Sequence, residues 1–159
     1  FTPQLLQVLS DHLKQIESGK LTVSWINFSQ GYSVPIDSLN RFVNRQREGR
    51  VRRWNIHELA PIILANLAKE KPQLKIVELV HVFEGFGRLG IPIVVAAGNS
   101  GFSEVNFYSL FPNVISVGAL DNHGRRTPYS SENSAVTLWR KGEIKSYAMP
   151  KGVDLNGDR

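Results

Sequence analysis

The 159-residue chain contains no cysteine, and that absence closes several routes at once. It excludes a disulfide framework, a thiol nucleophile and a Cys-ligated zinc site, and it leaves the redox compartment unread. Long apolar runs are missing too, since none reaches the roughly 18 residues that a membrane-spanning helix needs. The chain opens at Phe1 rather than methionine, and no signal-peptide pattern precedes its first helix-like stretch. The expectation is a processed or excised piece of something longer. Internal repeats and low-complexity segments are also absent. What remains is ordinary globular material, 42% hydrophobic and 21% charged, enough for one domain with a real core.

Acidic residues are outnumbered 14 to 19, which gives a net charge of +5. The surplus is local. "RFVNRQREGRVRR" places Arg41, Arg45, Arg47, Arg50, Arg52 and Arg53 together, with Trp54 next in line. A basic run can grip phosphates, and an indole can stack on a base. No recognised nucleic-acid motif accompanies it, so the reading is a solvated stretch or a site for an acidic partner rather than for nucleic acid.

Periodicity supplies the elements. "TPQLLQVLSDHLKQIESGK" predicts a helix over 2–18 with Thr2 as N-cap, Pro3 at the first helical position and Gly19 as its stop. "LTVSWINFS" is apolar on both alternations, as in a strand covered on both faces, and predicts a strand over 22–28. Further helices are expected over 36–47, from about His57, and over 74–89 through Val77, Val80, Phe83, Phe86 and Leu89. Strands are expected over 92–97 and 114–119, with "TPYSS" and "AVTLW" as shorter ones. Helices alternating with continuously apolar strands predict an α/β layered fold with a mostly parallel sheet flanked by helices. The three main strands should lie parallel and adjacent in chain order.

In open parallel sheets ligands sit beyond the carboxyl ends of the strands. Those ends read "NFSQGY", "AAGNSG" and "VGALDN", all small, polar and glycine-containing. Small residues let another backbone come close, so this edge is suited to an extended chain or an anion.

"GIPIVVAAGNSG" followed by "FPNVISVGALDNHGRRTPYSS", together with "INFSQG" at 26–31, resembles the subtilisin-like serine proteases (subtilases). The motifs and their order agree over three stretches that make up more than half the chain. The resemblance implies the central part of a subtilisin-like catalytic domain, so residues 1–159 are expected to be a single partial domain. It implies that Asn99 donates its side-chain amide to the oxyanion of a tetrahedral intermediate, a catalytic role. In subtilisin itself, loss of that donor is known to cost roughly 10²–10³ in turnover. It implies that Ser29, Gln30 and Gly31 pair their backbone with an extended substrate. Ala96, Ala97 and Gly98 would form the facing wall of the pocket for the residue before the scissile bond.

The family's triad runs Asp, His, Ser along the chain. Its Asp-Thr/Ser-Gly and His-Gly-Thr motifs and its Gly-Thr-Ser-x-Ala nucleophile motif do not occur in this sequence. His12, His57, His81 and His123 match none of them, and Ser130 and Ser131 match the family's strand rather than its nucleophile. Two departures stand out: no Ala-Pro-Gly follows "YSSENSAVTLWRKGE", and residues 33–73 form a long basic insertion.

"DLNGD" (Asp154, Asn156, Asp158) spaces oxygen ligands like the start of a calcium loop, but lacks its glycine and closing glutamate. The reading is a solvated tail, with no cofactor or metal, calcium being left open only for a whole protein. The main functional expectation is part of a serine endopeptidase acting on peptide or protein substrates, with the 159 residues inactive alone. Alternatives are a pseudoprotease scaffold and a basic α/β module for an acidic partner. The resemblance further implies a secreted or extracytoplasmic location. The strand over 22–28 is expected to leave an exposed sheet edge for self-association.

Overall fold

The structure, a computed structural model, describes residues 3–28, 31–46, 55–101 and 104–142. In chain order the elements are α1 (Pro3–Glu17), β1 (Ile26–Phe28), β2 (Ser33–Pro35), α2 (Ile36–Gln46) and α3 (Ile56–Glu70). A 3-10 turn (Pro72–Leu74) leads to α4 (Ile76–Arg88) and β3 (Ile93–Ala96). Then come β4 (Glu104–Asn106), a second 3-10 turn (Phe107–Leu110), β5 (Val114–Leu120) and β6 (Val136–Lys141).

Helix α1 stops where glycine lets it. Gly19 adopts φ +72°, and Gly19 and Lys20 return their N–H groups to Ile16 and Gln15. Its expected cap, Thr2, lies outside the described residues. Helix α3 opens on a reciprocal cap. The Asn55 carboxamide accepts the His57 N–H at 2.9 Å, and the Glu58 carboxylate accepts the Asn55 N–H at 3.2 Å.

One four-stranded parallel sheet carries the order β1-β3-β5-β6, so the three main strands lie parallel and adjacent as expected. Strand β1 is shorter than the predicted 22–28. Its ladder starts where the Ile26 N–H meets the Pro92 carbonyl at 3.0 Å. Earlier residues would have to pair with the Gly90 turn and the end of α4, which offer no strand. Strand β6 joins parallel to β5 with a register shift at Ser116/Val117. Strands β2 and β4 form a separate antiparallel pair, Ser33 opposite Asn106, which the sequence does not suggest.

The core lies on one face of the sheet. Ile93 and Val95 point into it and meet Leu79, Phe83 and Phe86 of α4, all fully buried. Phe28 stacks against Tyr108 with ring centroids 5.3 Å apart, and Phe83 packs on Phe111 at 5.1 Å. The buried stripe of α4 runs through Ile76, Leu79, Val82, Phe83 and Phe86, while the expected members Val77 and Leu89 are exposed. Polar Glu78, His81, Glu84 and Arg88 line the exposed side of the helix, and Val77 shares that side with His81 and Glu84 at helical spacing. The opposite face of the sheet carries Asn27, Val94, Ala96, Val117 and Arg140 along a groove of about 350 Å³. Residues 33–73 hold β2, α2, α3 and a 3-10 turn, with Leu39, Ile56, Leu59 and Ile63 buried in the core. Arg41 is exposed on α2, whereas the side chain of Arg45 and residues 47–54 lie outside the described residues. Among the described residues no helix is long and apolar enough to cross a membrane.

Candidate functional site

At the carboxyl end of β3 the chain leaves the sheet in one step. The Ala97 N–H still reaches the Val117 carbonyl at 2.9 Å, and Ala97 is buried. Gly98 then turns at φ +113°, a backbone conformation that side-chain-bearing residues rarely adopt. A Cβ there would come within 2.8 Å of the Ser131 hydroxyl oxygen. Asn99 and Ser100 form an exposed bend, and Gly101 at φ +67° turns the chain away. The Asn99 side chain makes no hydrogen bond to any described residue. A rigid support therefore ends in an unengaged amide.

The bend is held from the β5–β6 crossover. Ser131 donates its N–H to the Gly98 carbonyl at 2.9 Å, and its Oγ accepts the Ser100 N–H at 3.3 Å. Gly101 donates to the Tyr129 carbonyl at 3.1 Å, and Glu132 donates to the Gly101 carbonyl at 3.0 Å. "TPYSS", expected as a short strand, is a turn. Pro128 has no N–H for a ladder, and neighbouring hydroxyls take backbone partners instead. The Thr127 hydroxyl donates to the Ala119 carbonyl at 3.3 Å, and Ser130 Oγ accepts the Ala119 N–H at 2.9 Å. Arg126 fixes the turn by donating to the Ser130 carbonyl at 2.9 Å and pairing with Glu132 at 2.8 Å.

Facing this loop, Gly31 follows the end of β1 and is exposed, while Ser29 and Gln30 lie outside the described residues. A Cβ on Gly31 would overlap the carboxamide of Asn106. That same carboxamide donates to the Ala96 carbonyl at 2.7 Å and accepts the Tyr108 N–H at 3.0 Å. Asn106 is buried and joins the two expected walls, Gly31 and Ala96, from below. The sequence reading missed Asn106. Its position follows from the β2–β4 pairing, two three-residue strands that no period announces. Ala96 is exposed, whereas buried Ala97 turns its methyl to the other side of the strand. Next to Gly31 an apolar cavity of about 420 Å³ is lined by Tyr32, Val34, Leu39, Ile63, Leu67 and Phe107. A second cavity, of about 460 Å³ between α3, α4 and the 107–110 turn, shares no lining residue with this site.

Two groups near the rim titrate abnormally. The Asp121 carboxyl is held below its ordinary range because it accepts the Arg125 and His123 N–H groups and pairs with the Arg125 side chain. The Tyr108 phenol is pushed up by burial and by the nearby Tyr32. His12, His57, His81 and His123 sit exposed on α1, α3, α4 and the 121–125 turn, so the fold does not gather them. Residues 154–158 lie outside the described residues.

No curated protein matches the chain significantly. Among solved structures, the prenylagaramide maturation protease PagA superposes with a TM-score of 0.53 at 16% identity, over 92% of this chain and 39% of that one. A lanthipeptide protease gives 0.51 at 13% identity, covering 89% of this chain and 34% of its own. The self-cleaved protease domain of PatA gives 0.51 at 18%, covering 87% and 38%. This chain therefore spans no more than about two fifths of their length, and the likeness is one of fold. The model of the Subtilase family matches residues 23–154, from before β1 to beyond β6. Fold and family model agree with the strand-end motifs, and the chain belongs to the Subtilase family.

Proposed function

We propose that residues 1–159 form the oxyanion-stabilising and substrate-binding part of a subtilisin-like serine endopeptidase that hydrolyses peptide bonds in proteins. One observation carries this reading: an exposed, unengaged Asn99 amide on a braced, glycine-flanked bend at the carboxyl end of the central strand of a subtilase sheet. The triad Asp, His and Ser come from outside these residues. The serine oxygen adds to the scissile carbonyl carbon while the histidine takes the hydroxyl proton. The carbon–nitrogen bond then breaks as that proton passes to the leaving amine, and water hydrolyses the resulting ester. Negative charge that develops on the carbonyl oxygen meets the Asn99 N–H, already aimed, without reorganisation.

Ser29, Gln30 and Gly31 offer backbone to an extended substrate, which gives affinity without side-chain selectivity. Ala96, Ala97 and Gly98 form the facing wall, with Asn106 as the floor between Gly31 and Ala96. A filled floor favours a small side chain before the scissile bond. A secreted or extracytoplasmic location belongs to the same reading. Strand β1 is an edge of the sheet, so self-association of the isolated chain through it is expected; sedimentation as a monomer at micromolar concentration contradicts this.

The test is activity of the complete protein on a mixture of unmodified peptides, with and without a serine-directed fluorophosphonate. Internal cleavage after small residues that the fluorophosphonate abolishes is the expected result. Binding of the same peptides without any cleavage overturns the reading in favour of a pseudoprotease.

A further inference from the structure

We infer that Ser131 is the positioning residue for Asn99. This rests on the proposed role of Asn99 and adds what holds it in place. Ser131 is fully buried and, among the described residues, is the one that bonds the peptide groups on both sides of Asn99, the Gly98 carbonyl and the Ser100 N–H. Its hydroxyl also occupies the space that a side chain at Gly98 would need. Two rotations at Gly98 and Gly101 give the bend its freedom, and Ser131 removes it between them. The brace is itself braced, because Arg126 ties down the Thr127 and Ser130 carbonyls and Glu132. A donor whose supporting peptides drift by a fraction of an ångström loses its aim at an oxyanion while leaving the substrate cleft unchanged.

The neighbouring Ser130 supplies the control. It is equally buried, and its hydroxyl also accepts one backbone N–H, but that N–H belongs to Ala119 of β5. In the complete protein, Ser131→Ala should lower kcat about tenfold with KM within about twofold, the pattern of an interaction that acts on the transition state. Ser130→Ala should change neither constant by more than about twofold, although both variants lose one buried hydrogen bond. Amide hydrogen exchange at Ser100 should quicken about tenfold in Ser131→Ala and stay at the wild-type rate in Ser130→Ala. Equal loss of kcat in the two variants, or unchanged exchange at Ser100 in Ser131→Ala, overturns the inference. Should the complete protein cleave no peptide at all, the protease reading fails. The Ser100 exchange rate then decides alone whether Ser131 holds the bend.

Discussion

The helix-covered face of the sheet and the rim at its carboxyl ends are built by different physics. On the covered face Ile93, Val95, Leu79, Phe83 and Phe86 are fully buried against one another. Their hold is non-directional, so any close-packed arrangement of similar volume serves. At the rim, Gly98, Asn99, Ser100 and Gly101 have almost no apolar contact to make, and directed hydrogen bonds from residues 129–132 fix them. The face determines whether the chain folds; the rim determines where a single amide points. Substitutions should separate along that line.

The largest effect is expected on the covered face. Phe83→Ala removes a ring that contacts Phe28 and Phe111 and should cost about 3–5 kcal/mol of stability. Urea denaturation measures it, and a loss below about 1 kcal/mol would mean that the face collapses to fill the space. Next comes the rim. Gly31→Val forces a side chain into the Asn106 carboxamide and should raise KM about tenfold, or about 1.4 kcal/mol, with little change in kcat. Adding Asn106→Gly to that variant should recover part of the loss, because the two residues compete for one space. Full additivity of the two changes would sever the link between the walls.

A polar contact on the folding side sharpens the contrast. Asn55→Ala removes the cap of α3 and should cost about 1 kcal/mol in unfolding while leaving kcat unchanged. If kcat falls with it, polar bonding as such, rather than position at the rim, is what matters. The smallest effect is a pH dependence at the place where the two regions meet. The phenol of Tyr108, a residue whose ring stacks in the core and whose backbone N–H donates to the Asn106 carboxamide, is shifted upward. Its neutral form is the one the fold favours. That contribution is complete below the ordinary tyrosine value of about 10 and disappears as pH rises through the higher folded value. Tyr108→Phe should flatten the alkaline limb of a stability–pH curve. The half-buried Asp121, shifted downward, acts at the other end, its contribution fading as pH falls below about 4.

Most of the covered face is legible in the sequence, because burial imposes a period. Three continuously apolar strands between amphipathic helices fix a parallel sheet and even the strand order, as β1, β3 and β5 bear out. The stripe of α4 falls on Ile76 and Leu79 rather than Val77 because Val77 shares its side of the helix with the polar His81 and Glu84, a spacing that the sequence itself displays. The rim was legible in composition only. Glycines and an asparagine at a strand end mark the location of Asn99, and nothing local marks what braces it. Ser131 follows Asn99 by 32 positions, and Asn106 reaches Gly31 through a strand pair too short to leave an alternation. Polar partners set by distant backbone geometry carry no signature along the chain.

The most direct test is the steady-state kinetics of Asn99→Ala in the complete protein, read beside its unfolding midpoint. The account predicts a fall in kcat of roughly 10²–10³, about 2.7–4 kcal/mol, with KM and the midpoint nearly unchanged. Asn99→Asp, which would add a like charge beside the proposed oxyanion, should be at least as damaging. A kcat within about threefold of wild type, on a protein that cleaves peptides, would make Asn99 a turn residue and contradict the account.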